Sequence, residues 1–140
     1  MADKVRKVPC RMCPYRRDVP SGLWSEQEYE KLREYDGDIV AQVAHRAVRL
    51  FMCHQGDSCL CAGWAGHRGE PRDLLAIRVH ASELDESVFT YECPVPLFGS
   101  GAEAADHGER DIECPSETAK DAIGKIVRVR AARGDPVSYG

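Results

Sequence analysis

Few stretches of this chain carry a clean hydrophobic period, and those that do are short. The sharpest start lies at Ser25, which stands as a helix N-cap with Glu28 three places on, the spacing of a capping box. Trp24 and Tyr29 sit in the staple positions on either side of that cap. Tyr29 and Leu32 share a face, and the helix is predicted to run to about Tyr35 and stop at Asp36-Gly37. Residues 38–47 show no decisive pattern. Val48 to Cys53 alternates in part and is predicted as a short strand that delivers Cys53 and His54 to a turn. Gln55 to Gly69 reads as an irregular loop. A helix over Arg72 to Ala81 follows from the spacing of Leu74, Leu75, Ile77 and Arg78. Pro94, Pro96, Gly99 and Gly101 keep the stretch from Phe89 extended or looped.

Ser100 and Glu103 repeat the capping-box spacing and open a short helix ending near His107-Gly108. Ser116 caps a last helix whose apolar face is Ala119, Ala122, Ile123, Ile126 and Val127, with Gly134 and Pro136 beyond its end. Residues 1–9 form a polar lead-in and residues 15–22 a loop. The pattern predicts an α+β domain, mostly helical with little sheet. Its core is drawn from Leu23, Trp24, Leu32, Phe51, Leu74, Leu75, Ile123 and Ile126. At 140 residues the chain is the size of one domain with a real but modest core, so a cross-link would help it. No apolar run approaches the length of a membrane span, and the first residues lack the apolar segment of an export signal. The expected compartment is the reducing cytoplasm.

That compartment governs the reading of seven cysteines. Disulfides are rare there, and clustered cysteines more often bind metal. Cys10 and Cys13 form a C-x2-C turn, which lets two sulfurs face one ion and supplies half a site. Cys53, His54, Cys59 and Cys61 lie within nine residues of one another and offer the other half. The set Cys10, Cys13, Cys53 and Cys61 is preferred. Cys53 follows the short strand, and Ala62 and Gly63 leave space beside Cys61. Cys59 stands too close to Cys61 for an easy shared site and is held in reserve. His54, next to Cys53 in an extended segment, points the other way and suits a hydrogen bond to the site rather than ligation. His67 is a further candidate. Cys93 and Cys114 read as small buried hydrophobes. Four thiolates fit a structural zinc ion and also a [4Fe-4S] cluster, with zinc preferred on spacing. On this reading the single domain of residues 1–140 has a metal-binding half at about 8–81 and a helical half at about 82–134.

The net charge of −4 conceals basic ends, with six Lys or Arg in residues 1–17 and five in residues 120–133. Such ends can hold a nucleic-acid or protein partner, or can be solvated termini of a domain that is not basic overall. Trp24 and Trp64 are assigned to packing around the site rather than to base stacking. No phosphate-binding glycine loop, carboxylate pair or serine elbow appears. A thiol enzyme is the third reading, after the zinc module and the iron–sulfur protein. It is disfavoured because no apolar strand precedes Cys10 and His54 is badly placed to activate Cys53.

The run C-R-M-C-P-Y-R-R-D-V-P-S-G from Cys10 to Gly22, with E-Y-E-K-L from Glu28, F-M-C-H-Q from Phe51 and L-C-A-G-W from Leu60, resembles a family of small cysteine-rich proteins of unknown function from actinobacteria and their phages. The resemblance covers roughly residues 9–80 well and the rest loosely. It implies metal binding through Cys10, Cys13, Cys53 and Cys61 with His54 alongside. It brings no established activity.

Overall fold

The protein structure, a computed structural model, describes residues 3–53 and 59–133. Its elements in chain order are β1 (Lys4–Val5), α1 (Glu26–Arg33), α2 (Ile39–Ala44), β2 (Cys59–Leu60), α3 (Ala62–Gly66), α4 (Leu75–Val79), α5 (Gly101–Glu109) and α6 (Glu117–Arg133), with short 3₁₀ turns at Pro71–Asp73, Ala81–Glu83 and Glu86–Thr90. It is a small, mostly helical α+β fold with a two-stranded parallel sheet.

The sheet is minimal but central. β1 pairs in parallel with β2, Lys4 opposite Cys59 and Val5 opposite Leu60. On the other side of β2, Met52 makes an antiparallel bridge to Leu60. Leu60 is fully buried between the two. The polar lead-in therefore contains a strand. The strand expected over 48–53 reduces to an extended arm that touches β2 only around Met52. The ladder cannot lengthen there, because Cys61 already leaves it to cap α3.

α1 begins after Ser25 as expected, but the capping box does not form: the Ser25 side chain makes no cap bond. The Tyr29 hydroxyl instead accepts from the backbone N–H of both Leu23 and Trp24, at 3.0 and 3.1 Å, so one phenol organises the turn into the helix. α1 ends at Arg33, two residues short of the expected stop, and Gly37 turns the chain at φ +87°. The undecided stretch after it is α2, opened by Asp38, whose carboxylate accepts from Ala41 N at 2.9 Å.

The expected loop of 55–69 holds β2 and α3 in its described part. The helix expected over 72–81 is broken into a 3₁₀ turn and the short α4, because Leu74 is extended (φ −92°, ψ 119°). Gln42 explains the break. It is completely buried, its amide nitrogen donates to Gly37 O at 3.1 Å and Asp73 O at 2.8 Å, and its carbonyl accepts from Leu75 N at 2.9 Å. One side-chain amide thus satisfies the backbone where α4 starts and fastens it to α2.

α1 packs closely against α5 through small residues. A Cβ on Gly108 would overlap the Tyr29 ring, and one on Gly101 would overlap the Leu32 carbonyl. Ser100 caps α5 as its spacing predicts, accepting from Glu103 N at 3.1 Å. Asp36, at the end of α1, adds acceptors for Gly101 N and Ala102 N at 2.6 and 2.8 Å, where the helix end presents free N–H groups and positive potential. Arg33 reaches from α1 to Glu109 and Asp106 on α5.

Ser116 caps α6 through Ala119 N at 3.2 Å. Ala119 and Ile126 are buried, whereas Ile123 is only partly covered. Lys125 and Arg128 are exposed. Gly134 and Pro136 lie outside the described residues. Apart from Ile123, the expected core residues are buried, joined by Tyr15, Tyr29, Leu60, Trp64, Ile77 and Val88. No helix among the described residues is long and apolar enough to cross a membrane.

Replacing Gln42 with Leu keeps the volume but strands the Leu75 N–H and the Asp73 carbonyl, while Gly37 O keeps its bond from Arg68. A loss of at least about 1–3 kcal/mol is expected, read as a lowered urea midpoint at unchanged slope.

Candidate functional site

The first half of the site is a pair of consecutive tight turns. Cys13 N donates to Cys10 O at 3.0 Å, and Arg16 N to Cys13 O at 3.1 Å. The Trp24 indole N–H holds Met12 O at 3.0 Å, and the Arg16 guanidinium holds Pro9 O at 2.9 Å while forking onto Asp18. The Arg16 pair lowers the Asp18 pKa, the hydrogen bond being the main cause. These bonds fix a loop that has little regular structure of its own.

The second half is the pair of arms around Met52 and Leu60. Cys53 N donates to Cys59 O at 2.9 Å, and Cys61 N to Phe51 O at 2.8 Å. Residues 51, 53, 59 and 61 therefore alternate onto one face. Cys61 also opens α3, its sulfur accepting from Trp64 N at 3.5 Å.

The structure brings the four preferred cysteines into one neighbourhood, and all are buried: Cys10 at 5%, Cys13 at 1%, Cys53 at 7% and Cys61 at 3% exposure. They meet as two pairs. Cys13 Sγ and Cys61 Sγ are 3.6 Å apart. The Cys10 thiol is bonded to Cys53, and this bond, then burial, then the charges that Cys53 and Cys61 would carry, push its pKa far up. Cys13 is raised by its bond to Cys61, then by burial and by charge on Cys61 and Cys10. Neither ionises at neutral pH without a cation to compensate it. Arg6 Nη1 lies 3.9 Å from Cys53 Sγ and brings one positive charge to the edge of the cluster. Among the described residues, no group of three or more His, Cys, Asp or Glu side chains is already gathered tightly enough to hold a metal ion. The two pairs would have to draw together to do so.

Gly63 proves as important as its small size suggests, though for another sulfur. A Cβ there would overlap Cys13 Sγ and crowd Tyr15 Cβ at 2.8 Å. The space it leaves lets α3 lie against the C-x2-C turn, not only beside Cys61.

His54 lies outside the described residues. Cys59 is half-buried and sits on the ligand face of β2 without joining the buried set. His67 is buried, but in the aromatic core. Its ring stacks on Tyr15 at a centroid distance of 4.4 Å, and its Nδ1–H donates to Trp64 O at 2.6 Å. Burial lowers its pKa to about 4, so it is neutral. His67 Nε2, Tyr15 Oη and Trp64 Nε1 are buried without a hydrogen-bond partner among the described residues. Cys93 and Cys114, expected in the core, are half-buried and exposed respectively. Each lies in a short non-repeating connection, Cys93 just after the 3₁₀ turn Glu86–Thr90 and Cys114 between α5 and α6, where no apolar face exists to bury it. Arg6 and Tyr15 were not singled out from the sequence. Tyr15, two residues after Cys13 in the same motif, carried the signal, whereas Arg6 reaches the site only through the pairing of β1.

His67 makes stability depend on pH in a defined window. The unfolded ring takes a proton near its ordinary pKa of about 6.5, and the folded ring only near 4. Between these values the unfolded state binds more protons, so stability falls as pH drops from about 6.5 towards 4. His67→Phe keeps a ring against Tyr15 and should remove this component. The check is urea unfolding of both proteins across that window, where an unchanged slope in the variant would refute the assignment.

Nothing among the curated proteins or the solved structures matches the chain. A family model does match, over residues 5–130, and its span takes in Val5 of β1, the C-x2-C turn, the arms that carry Cys53 and Cys61, and most of α6. The chain belongs to that family, which is described as a family of unknown function, DUF6283.

Proposed function

We propose that the chain is a metal-stapled binding module in which Cys10, Cys13, Cys53 and Cys61 hold one zinc ion. The observation that carries this reading is the convergence of four buried thiols from two distant segments, with Cys13 Sγ and Cys61 Sγ 3.6 Å apart. A single ion about 2.3 Å from each of four sulfurs, in tetrahedral array, sets them roughly 3.8 Å from one another. A cubane cluster binds each thiolate through a different iron and needs a wider frame. The donor set also fits zinc chemically, being all sulfur, buried and flanked by Arg6. When bound, zinc supplies the positive charge that lets the thiols ionise, and its ligation adds folding free energy. Cys61 N-capping α3, Gly63 making room for Cys13 and the turn bonds around Met12 are the chain's own contribution. They hold each pair of sulfurs in place and leave the two pairs to close on the ion.

The binding part of the reading rests on where the basic ends come together. Arg11 and Arg16 from the first segment and Lys125 from α6 line one cleft of about 590 Å³, with Thr118 at its wall. Asp18 and Asp121 line it too, so its charge is mixed, which suits a protein partner or a few phosphates rather than a long nucleic-acid track. A setting in actinobacteria or their phages, which the sequence resemblance implies, and a reducing compartment in which free thiols persist complete the reading.

Elemental analysis and an absorbance spectrum of protein purified without oxygen test it. One zinc per chain and no colour are expected. A brown protein with visible absorbance would replace zinc by an iron–sulfur cluster. Cys10→Ser, Cys13→Ser, Cys53→Ser and Cys61→Ser should each lose the metal and destabilise the fold, and Cys93→Ser and Cys114→Ser should keep it. Full metal occupancy in Cys53→Ser and Cys61→Ser would overturn the assignment.

A further inference from the structure

A fifth cysteine stands beside the buried four in a different situation. Cys59 begins β2 and is partly open to solvent, while Cys10, Cys13, Cys53 and Cys61 are each at most 7% exposed. It is also not remote from them. The bond from Cys53 N to Cys59 O, at 2.9 Å, places Cys59 directly across from Cys53. The Met52–Leu60 bridge fixes that register. Alternation puts both side chains on the same face as Cys61. Directly opposed residues in an antiparallel ladder have Cα atoms about 4.5–5.5 Å apart, inside the range of about 4.4–6.8 Å that a disulfide spans. A reachable thiol is thus paired by backbone register with one of the proposed ligands.

We propose that Cys59 is a peroxide-reactive thiol and Cys53 its resolving partner, so that oxidation of this cross-strand pair opens the cysteine site. The proposal rests on the metal-site reading for its consequence, but not for the pairing itself. The chemistry needs one two-electron oxidant, a hydroperoxide. Cys59 sulfur attacks the O–O bond of ROOH. ROH leaves, and Cys59 becomes a sulfenic acid, oxidised by two electrons while the peroxide is reduced. Cys53 sulfur then attacks the sulfenic sulfur. The S–S bond forms, the S–OH bond breaks, and the oxygen leaves as water, taking its proton from the Cys53 thiol in the metal-free chain or from solvent when Cys53 is a metal-bound thiolate. Cys53 can no longer serve as a thiolate ligand, and three sulfurs remain where four stood.

The order of events follows from access. Oxidation selects accessible thiols, and the buried four are shielded by the packing of Tyr15, Phe51 and Trp64. Cys93 and Cys114 are reachable as well, but neither has been placed opposite a ligand, so their oxidation would leave the site intact.

The experiment uses the full chain carrying Cys93→Ser and Cys114→Ser, with its metal content measured first. Hydrogen peroxide is added at one equivalent per chain. Zinc release is followed with a chromogenic chelator, and disulfides are mapped by mass spectrometry of the unreduced digest. The expected result is a dominant Cys53–Cys59 linkage, release of the zinc, and release at least tenfold slower when Cys59→Ser or Cys59→Ala is added. A dominant Cys13–Cys61 or Cys10–Cys53 linkage, or equally fast release without Cys59, would overturn the proposal. If the starting protein holds no metal, the zinc reading fails on its own. The linkage map of that protein still decides the pairing, since Cys53–Cys59 supports it and any other dominant linkage refutes it.

Discussion

Four sulfurs buried side by side are stable only on condition that they stay neutral or share a cation. Cys13 and Cys61, 48 residues apart in sequence, stand 3.6 Å apart at the sulfur, and Cys10 and Cys53 join them. Hydrogen bonds to Cys53 and Cys61, then burial and mutual repulsion, push the thiols of Cys10 and Cys13 strongly upwards. Without a cation the cluster is a set of neutral, weakly bonded thiols that contributes as small hydrophobes do. With a cation it would tie two distant segments of the chain together. Much of the surrounding architecture is arranged around that choice. Gly63 makes room for one sulfur, Arg6 approaches another, and the aromatic layer of Tyr15, Tyr35, Phe51 and Trp64 closes over the hairpin that brings two of them.

The second half of the molecule relies on a different economy. α1 and α5 come close because Gly101 and Gly108 carry no side chain. Arg33 then bridges them through Glu109 and Asp106, whose hydrogen bonds raise its pKa further, and Glu30 of its own helix adds a smaller pull. These are surface pairs of modest individual worth, and the register of the helices is set by the glycines rather than by the charges. Gln42 plays the same role nearer the cysteines, converting a place where the backbone would break its hydrogen bonds into a fixed corner between α2 and α4.

The sequence carried the helix starts at Ser25, Ser100 and Ser116, and it carried the grouping of Cys10 and Cys13 with Cys53 and Cys61. What it hid came from side-chain and ladder contacts that no local period encodes. The Ser25–Glu28 box looked complete locally, yet the Tyr29 phenol satisfies the preceding turn instead. The helix expected over 72–81 is interrupted by an amide from residue 42. The strand at Lys4–Val5 has no period to announce it, because two residues cannot show one, and it exists only through Cys59 and Leu60. Cys59 looked redundant on spacing alone. Only the ladder register shows that it faces Cys53.

The parallel pairing of Lys4–Val5 with Cys59–Leu60 also sets a timetable for synthesis. The partner of the first strand is translated some 55 residues later, a wait of about 3–11 s at ordinary ribosomal rates of roughly 5–20 residues per second. Through that interval the Cys10–Cys13 turn travels with its thiols uncovered, before Cys53 and Cys61 exist to pack against them. The nascent chain is therefore most open to stray oxidation before residue 61 clears the ribosome. Its first strand can settle only afterwards, from the amino end backwards onto a later segment.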